Sequence, residues 1–435
     1  MKKILAFFGG FLMFFPVYAE DGDSLSGKLH RFGYTVSLSP GQIIVMDSWQ
    51  QKWQKKKNTF SVSAEINYSA APQDSDAFAR DYNYPIFALG FKFSRNDVTM
   101  HRSPDPAWGM AEEVDYDSRL GNIATLYGTF SRPVYRNRRW IFDYMLGAGI
   151  GYGKHKYNNY NNIDNELTGS RFLIYFTAGL HATWRFADDW GLMAGIDYYH
   201  HSNGALNRPN KGANVFGPVV GLRYMPYDGE FRSYRSYRSY RSSGVQETEG
   251  KKRFQKHVYA NFTLGVGGKT LNEEWQLTQF QTPPDADDYR TSDFNFYMAY
   301  SMQADVMYRY ARRWASGIGA DLFYGTYADR VRDIESLPQN STLNTQNSKI
   351  SPWSFGLALK HQVFYRNLSV TMSLGYYLYR HMGQNAKEIE KPYYERIGLS
   401  YTFPSLRGLT LGFNIKAHRT KADLTELTVS YPVAL

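Results

Sequence analysis

Apolar and polar residues alternate with period two along most of the chain. In 59–68, Phe60, Val62, Ala64, Ile66 and Tyr68 alternate with Ser61, Ser63, Glu65 and Asn67. In 139–152, Trp140, Phe142, Tyr144, Leu146, Ala148, Ile150 and Tyr152 share one face, opposite Asp143, Met145, Gly147, Gly149 and Gly151. In 172–186, Phe172, Ile174, Phe176, Ala178, Leu180, Ala182, Trp184 and Phe186 oppose Tyr175, Thr177, Gly179, His181, Thr183 and Arg185. Period two is the signature of a strand with two unlike faces. These strands exceed the usual soluble length of about 5–6 residues and suit a tilted bilayer crossing of about 9–11. One face is apolar with aromatic ends, as a membrane-facing surface requires, and the other is small and polar, as a lumen allows.

Sixteen or so such segments are predicted. They lie near 32–46, 58–68, 84–95, 120–130, 139–152, 168–186, 190–202 and 214–225, then near 255–267, 294–309, 315–327, 352–365, 368–380, 392–403, 409–418 and 425–434. The expected fold is all-β, an antiparallel transmembrane β-barrel of about 14–16 strands. Between the two sets lies FRSYRSYRSYRSS (Phe231 to Ser243), a low-complexity repeat that builds no core. It reads as a linker, or as a basic-aromatic patch for phosphate or polysaccharide, and it leaves open two smaller barrels in place of one. The expected organisation is a signal peptide (1–19), a first barrel half with the active site (20–228), the linker (229–253) and a second set of strands (254–435).

Composition supports this picture. The chain has 435 residues, 17% aromatic, with 36 Tyr and no Cys, and its formal net charge is +10. The missing thiols exclude thiol nucleophiles, thiolate metal sites and disulfides. Mean hydropathy is −0.51, against a polytopic helical membrane protein. Lys2 and Lys3, the apolar run Ile4 to Phe15 and Val17-Tyr18-Ala19 make a secretory signal with cleavage expected after Ala19. Its removal lowers the net charge by two lysines, from +10 to +8. An exported chain that crosses a membrane only with strands belongs in the outer membrane of a Gram-negative bacterium. The closing Val433-Ala434-Leu435 departs from the aromatic ending common in such barrels.

The chemistry concentrates between Asp197 and Asn214. Trp190, Leu192, Ala194, Ile196 and Tyr198 are expected outward on one strand, and Phe216, Val220, Leu222 and Tyr224 on the next. The same parity puts His200, Ser202 and Asn214 outward at one end of a hairpin, and His201 toward the lumen. In a barrel that outward face meets lipid, where polar side chains need a partner. Satisfying one another is the obvious reason for three of them together. A His two residues from a Ser on one strand face is a base–nucleophile pairing of acyl transfer.

His200-x-Ser202-Asn203 at a strand end, followed by Pro209-Asn210-Lys211-Gly212 before the next strand, resembles the lipid A 3-O-deacylase (PagL) family, also called acyloxyacyl hydrolase-like. Those are outer-membrane barrels whose outward-facing site cuts an ester-linked acyl chain from lipid A. The resemblance, over roughly residues 30–226, implies Ser202 as nucleophile, His200 as general base, and Asn203 with the backbone around Gly204 as oxyanion donors. Asn165, Gly169 and Ser170 also look familial. The family's third member is a Glu at the position of Asn214; an Asn carbonyl can still accept the His N–H but brings no charge. The implied partners are outer-membrane lipid and lipopolysaccharide, without nucleic acid, metal or cofactor.

One further polar group lies near the end of the chain. Lys416, His418, Asp423 and Glu426 cluster at the last hairpin; parity turns Lys416, His418 and Glu426 inward, as a lumenal ion-pair network. A sixteen-stranded barrel is wide enough for a channel, so a non-enzymatic porin favouring anions through Arg185, His181 and Lys416 is the alternative function. A secreted soluble β-protein is a third.

Overall fold

The computed structural model describes residues 31–72, 76–226, 254–337, 350–388, 390, 392–419 and 421–435; the expected signal peptide and the Ser-Tyr-Arg linker lie outside these. The first set of strands is β1 (Phe32–Ile43), β2 (Gln54–Ser69), β3 (Ile86–Met100), the two-residue β4 (Ser118–Arg119), β5 (Ile123–Arg136), β6 (Trp140–Gly153), β7 (Phe172–Arg185), β8 (Trp190–Ser202) and β9 (Ala213–Tyr224). The second is β10 (His257–Lys269), β11 (Tyr297–Ala311), β12 (Trp314–Gly325), β13 (Trp353–Tyr365), β14 (Leu368–Arg380), β15 (Tyr393–Phe403), β16 (Leu409–His418) and β17 (Lys421–Ala434). Leaving β4 aside, these are the sixteen strands that the alternation predicts.

They close as two eight-stranded barrels, the arrangement the linker left open, rather than as one ring of sixteen. In the first, β1 pairs with β9 (Tyr34 opposite Tyr224) and β2 with β3, which completes the circle; β4 sits on the end of β3. In the second, β10 pairs with β17 (Leu264 opposite Val429). Apart from β4, all pairing is antiparallel between strands of 10 to 16 residues, so no long edge of these strands is left open to lipid.

The alternation becomes two surfaces. On β8, Trp190, Leu192, Ile196 and Tyr198 are exposed while Met193, Asp197 and Tyr199 are buried. The exposed large apolar residues recur on every long strand and form the lipid-facing surface. The inward faces are packed, because eight strands leave an interior that side chains can fill. In the first barrel Arg223 donates to Asp143 (3.1 Å) and Thr183 (2.8 Å), and His181 Nε2 donates to Asp197 (2.9 Å). In the second, Lys360 lies 2.5 Å from Asp305 and 3.0 Å from Asp321, and Arg396 lies 3.2 Å from both Asp321 and Glu426. His181, Arg185 and Lys416 do point inward, yet all three are buried. The wide aqueous lumen that sixteen strands would enclose is therefore not formed.

One end of both barrels carries short turns (137–139, 186–189, 312–313, 366–367 and 404–408) and one longer connection, from β2 to β3. The other carries long connections, among them 101–122, 154–171, 203–212 and 270–296. Short turns mark the periplasmic end and long loops the extracellular one. The barrels touch at both ends. On the periplasmic side Tyr82 donates its hydroxyl to the Phe364 carbonyl (2.9 Å), and the Tyr365 ring packs against Phe87 at 5.0 Å. On the extracellular side Arg290, from the β10–β11 loop, reaches Asp164 of the first barrel at 2.9 Å, while Tyr157 stacks edge-on with Trp275 at 5.1 Å.

Candidate active site

His200 lies on β8 directly opposite Asn214 of β9, and both follow the outward parity of Tyr198 and Phe216. The His200 Nδ1 is 2.8 Å from Asn214 Oδ1. An amide oxygen only accepts, so Nδ1 carries the proton and Nε2 is left with its lone pair. The Tyr198 hydroxyl donates to the same Oδ1 at 2.7 Å, which holds the amide oxygen toward the imidazole. Gly212, at φ +74°, closes over the ring; a Cβ there would lie 2.4 Å from His200 Cε1.

Ser202 ends β8 opposite Ile174 of β7, on the same face as His200, and is buried. Among the described residues its hydroxyl makes no hydrogen bond, to His200 or to any other group. His201 points the other way, as parity requires: it is buried in the lumen with Nε2 2.9 Å from Thr125 Oγ1.

The loop after Ser202 is a network of Asn side chains. The Asn203 N–H donates to Asn210 Oδ1 (2.8 Å), and Asn203 Nδ2 donates to the Asn207 carbonyl (3.0 Å). The Asn203 Oδ1 is buried with no partner among the described residues. Gly204 and Ala205 both adopt left-handed backbone, at φ +63° and +69°. Their N–H groups make no hydrogen bond among the described residues although both residues are buried. Two backbone donors without a partner thus follow Ser202 closely, an uncommon arrangement in a folded chain.

The 154–171 loop braces this one. Asn207 Nδ2 donates to the Gly169 carbonyl (2.8 Å), and a Cβ on Gly169 would lie 2.4 Å from the Arg208 carbonyl oxygen. Asn165 Nδ2 donates to the Arg119 carbonyl (3.2 Å), and the Ser170 hydroxyl donates to the Phe172 carbonyl (2.6 Å). These residues shape the loops and hold them together. Lys211, one residue before Gly212, pairs with the buried Glu166 at 2.8 Å. Burial alone would push the Glu166 carboxyl up, but Lys211 and Arg102 outweigh it and hold it below the ordinary value.

Among the described residues one set of side chains could ligate a metal: Glu390, His418 and Asp423, with ligand atoms within 4.8 Å of one another. Protein cations already occupy those carboxylates. Lys416 lies 2.8 Å from Asp423, Lys269 pairs with Asp423 and Arg380 with Glu390. Arg396 pairs with Glu426. The group is an inward ion-pair network, as its sequence pattern predicts.

Parity missed two kinds of partner. Tyr198 shares the outward face with His200, so its role was legible in principle. Thr270 and Thr425, which touch the 203–206 turn, come from the other barrel.

Strands of membrane-crossing length, an apolar outer surface and loops of unequal length at the two ends define an outer-membrane β-barrel protein. Comparison with known families agrees. Residues 84–223 match Lipid A 3-O-deacylase (PagL), and residues 253–434 match Acyloxyacyl hydrolase, C-terminal domain, which together span most of the chain. The chain belongs to the PagL lipid A 3-O-deacylase and acyloxyacyl hydrolase-like family of Gram-negative outer-membrane proteins. A search of the curated proteins finds no match. Among solved structures it is similar to OccK8 (OprE) of Pseudomonas aeruginosa, at 10% identity over 93% of this chain and 98% of that one, with a TM-score of 0.21. It is also similar to the alcaligin receptor FauA of Bordetella pertussis, at 10% identity over 94% and 76%, with a TM-score of 0.23. At such scores the likeness carries no inference about function.

Proposed function

We propose that the protein is an outer-membrane serine esterase that removes an ester-linked acyl chain from lipid A. Ser202 is the nucleophile, His200 the general base and Asn214 the group that orients it. The observation that carries this reading is the His200–Asn214 hydrogen bond of 2.8 Å, which leaves Nε2 as a lone-pair base on the same outward strand face as Ser202. An outward strand face meets the bilayer, and lipid A fills the outer leaflet beside the extracellular end.

In this mechanism the substrate ester enters from the membrane beside β8. His200 Nε2 takes the Ser202 proton as Oγ attacks the carbonyl carbon. The developing oxyanion is met by the free N–H groups of Gly204 and Ala205 and by the second amide hydrogen of Asn203 Nδ2. Collapse returns the proton from His200 to the departing sugar oxygen. Water then attacks the acyl-enzyme, with His200 again as base, and releases the fatty acid. Asn214 orients the imidazole throughout but supplies no countercharge to the imidazolium. The test is the mass of lipid A in cells expressing the wild type or Ser202→Ala: loss of one acyl chain in the first and none in the second.

A further inference from the structure

The turn that follows Ser202 leans on the other barrel. Thr425, at the extracellular end of β17, donates its hydroxyl to the Gly204 carbonyl at 2.5 Å across a sequence separation of 221 residues. Thr270, just past β10, donates its backbone N–H to the Ala205 carbonyl at 3.0 Å, with its Oγ1 at 3.3 Å from the same oxygen. Arg208 Nε returns a bond to the Thr270 carbonyl at 3.1 Å. Both carbonyls of the left-handed pair Gly204–Ala205 are thus fixed by the second barrel. On the remaining side, a Cβ at Gly204 would meet Ile174 Cδ1 at 2.7 Å, so the turn is gripped between β7 and the other barrel.

A peptide unit is planar and trans, so fixing a carbonyl fixes the N–H that follows it in the opposite direction. Thr425 drawing the Gly204 carbonyl toward the second barrel therefore turns the Ala205 N–H back toward the first, where Ser202 lies. Left-handed backbone at Ala205 is strained, and two unpaired donors add to that cost. Without an outside hold, this turn would relax to a conformation that pairs them. The hydrogen bonds to the Gly204 and Ala205 carbonyls come from outside the first barrel.

We propose that the second barrel is a working part of the esterase site: Thr425, with Thr270, is a positioning residue that holds the Gly204–Ala205 turn so that the Ala205 N–H serves the oxyanion formed at Ser202. The inference rests on the esterase reading and assigns the second barrel a task within it. Its effect belongs on the chemical step and not on lipid affinity, because neither threonine is asked to touch substrate.

The test uses the full-length protein reconstituted with lipid A. Thr425→Val keeps the shape and removes the hydroxyl, and Thr425→Ser restores it. Gly204→Ala is the second variant; it sits in the first barrel and pushes a methyl toward Thr425 Oγ1, 2.4 Å from where that Cβ would lie. The expected result for Thr425→Val and Gly204→Ala is a kcat about 10- to 100-fold lower with KM changed less than about twofold. Labelling of Ser202 by a fluorophosphonate, which needs the same donors, slows in proportion. Thr425→Ser recovers both, and all variants keep the heat-modifiable migration of closed barrels. Wild-type kcat in both Thr425→Val and Gly204→Ala overturns the inference while leaving the esterase intact. A wild type with neither lipid A cleavage nor fluorophosphonate labelling overturns the esterase reading itself, and this inference with it.

Discussion

His200 and Asn214 face each other across the β8–β9 ladder, and the imidazole Nδ1 donates to the amide oxygen at 2.8 Å. The bond sets the tautomer that a base needs. A carboxylate at 214 would set the same tautomer and also stabilise the imidazolium. Asn214→Glu should therefore raise kcat about 10-fold or more and move the acid limb of the pH–rate profile upward. Asn214→Leu should lower kcat about 100-fold or more. Steady-state release of fatty acid from lipid A across pH 5–9 checks both; a slower Asn214→Glu enzyme would contradict the assignment.

Gly212 covers the imidazole without room for a side chain: a Cβ there meets His200 Cε1 at 2.4 Å, and φ is +74°. Gly212→Ala should tilt the ring off Asn214 and cut kcat by about 10-fold or more. The barrel should stay closed, since the residue lies in a loop. Activity at the wild-type level would mean that the ring position is not critical.

The period-two pattern made the strands legible because burial on two unlike faces is a local property of each one. His200, Ser202 and Asn214 stood out for the same reason, as polar residues on an apolar face. Closure was not legible. Tyr34 meets Tyr224 and Leu264 meets Val429, but alternation within a strand says nothing about which distant edge it will pair with. The Ser-Tyr-Arg segment could hint at two barrels without deciding between one and two. Thr425 and Thr270 were invisible for a related reason: their contact to the Gly204–Ala205 turn exists only once both barrels have closed and packed.

Glu166 joins the 154–171 loop to Lys211 at 2.8 Å, and its carboxyl is held below the ordinary value. A group whose pKa is depressed in the fold stabilises above its unfolded value, about 4.3, and loses that contribution as pH falls through the folded one. Hydrogen exchange in residues 154–171 and 203–212 should thus be slow at pH 7 and quicken below about pH 4, after correction for intrinsic rates. Glu166→Gln should weaken that pH dependence, which Asp47, also paired with Lys211, shares. Equal protection at pH 7 and pH 3 in the wild type would contradict the role given to this pair.

In the second barrel Lys360 neutralises Asp305 and Asp321 from 2.5 and 3.0 Å, all three being buried. Lys360→Met leaves Asp305 without a cation and Asp321 with Arg396 alone, among the described residues. The expected loss is about 3–5 kcal/mol, seen as a lower midpoint in urea unfolding followed by barrel migration on gels. If the second barrel supports the first as proposed, esterase activity should fall along the same urea curve.

The central claim is that Ser202 cleaves an acyl ester of lipid A, and the mass of lipid A tests it most directly. Expression of the wild type in a Gram-negative host should yield lipid A lighter by one ester-linked acyl chain, and Ser202→Ala should leave the mass unchanged at equal barrel abundance. The same loss of mass with Ser202→Ala, or no loss with the wild type, would contradict the account.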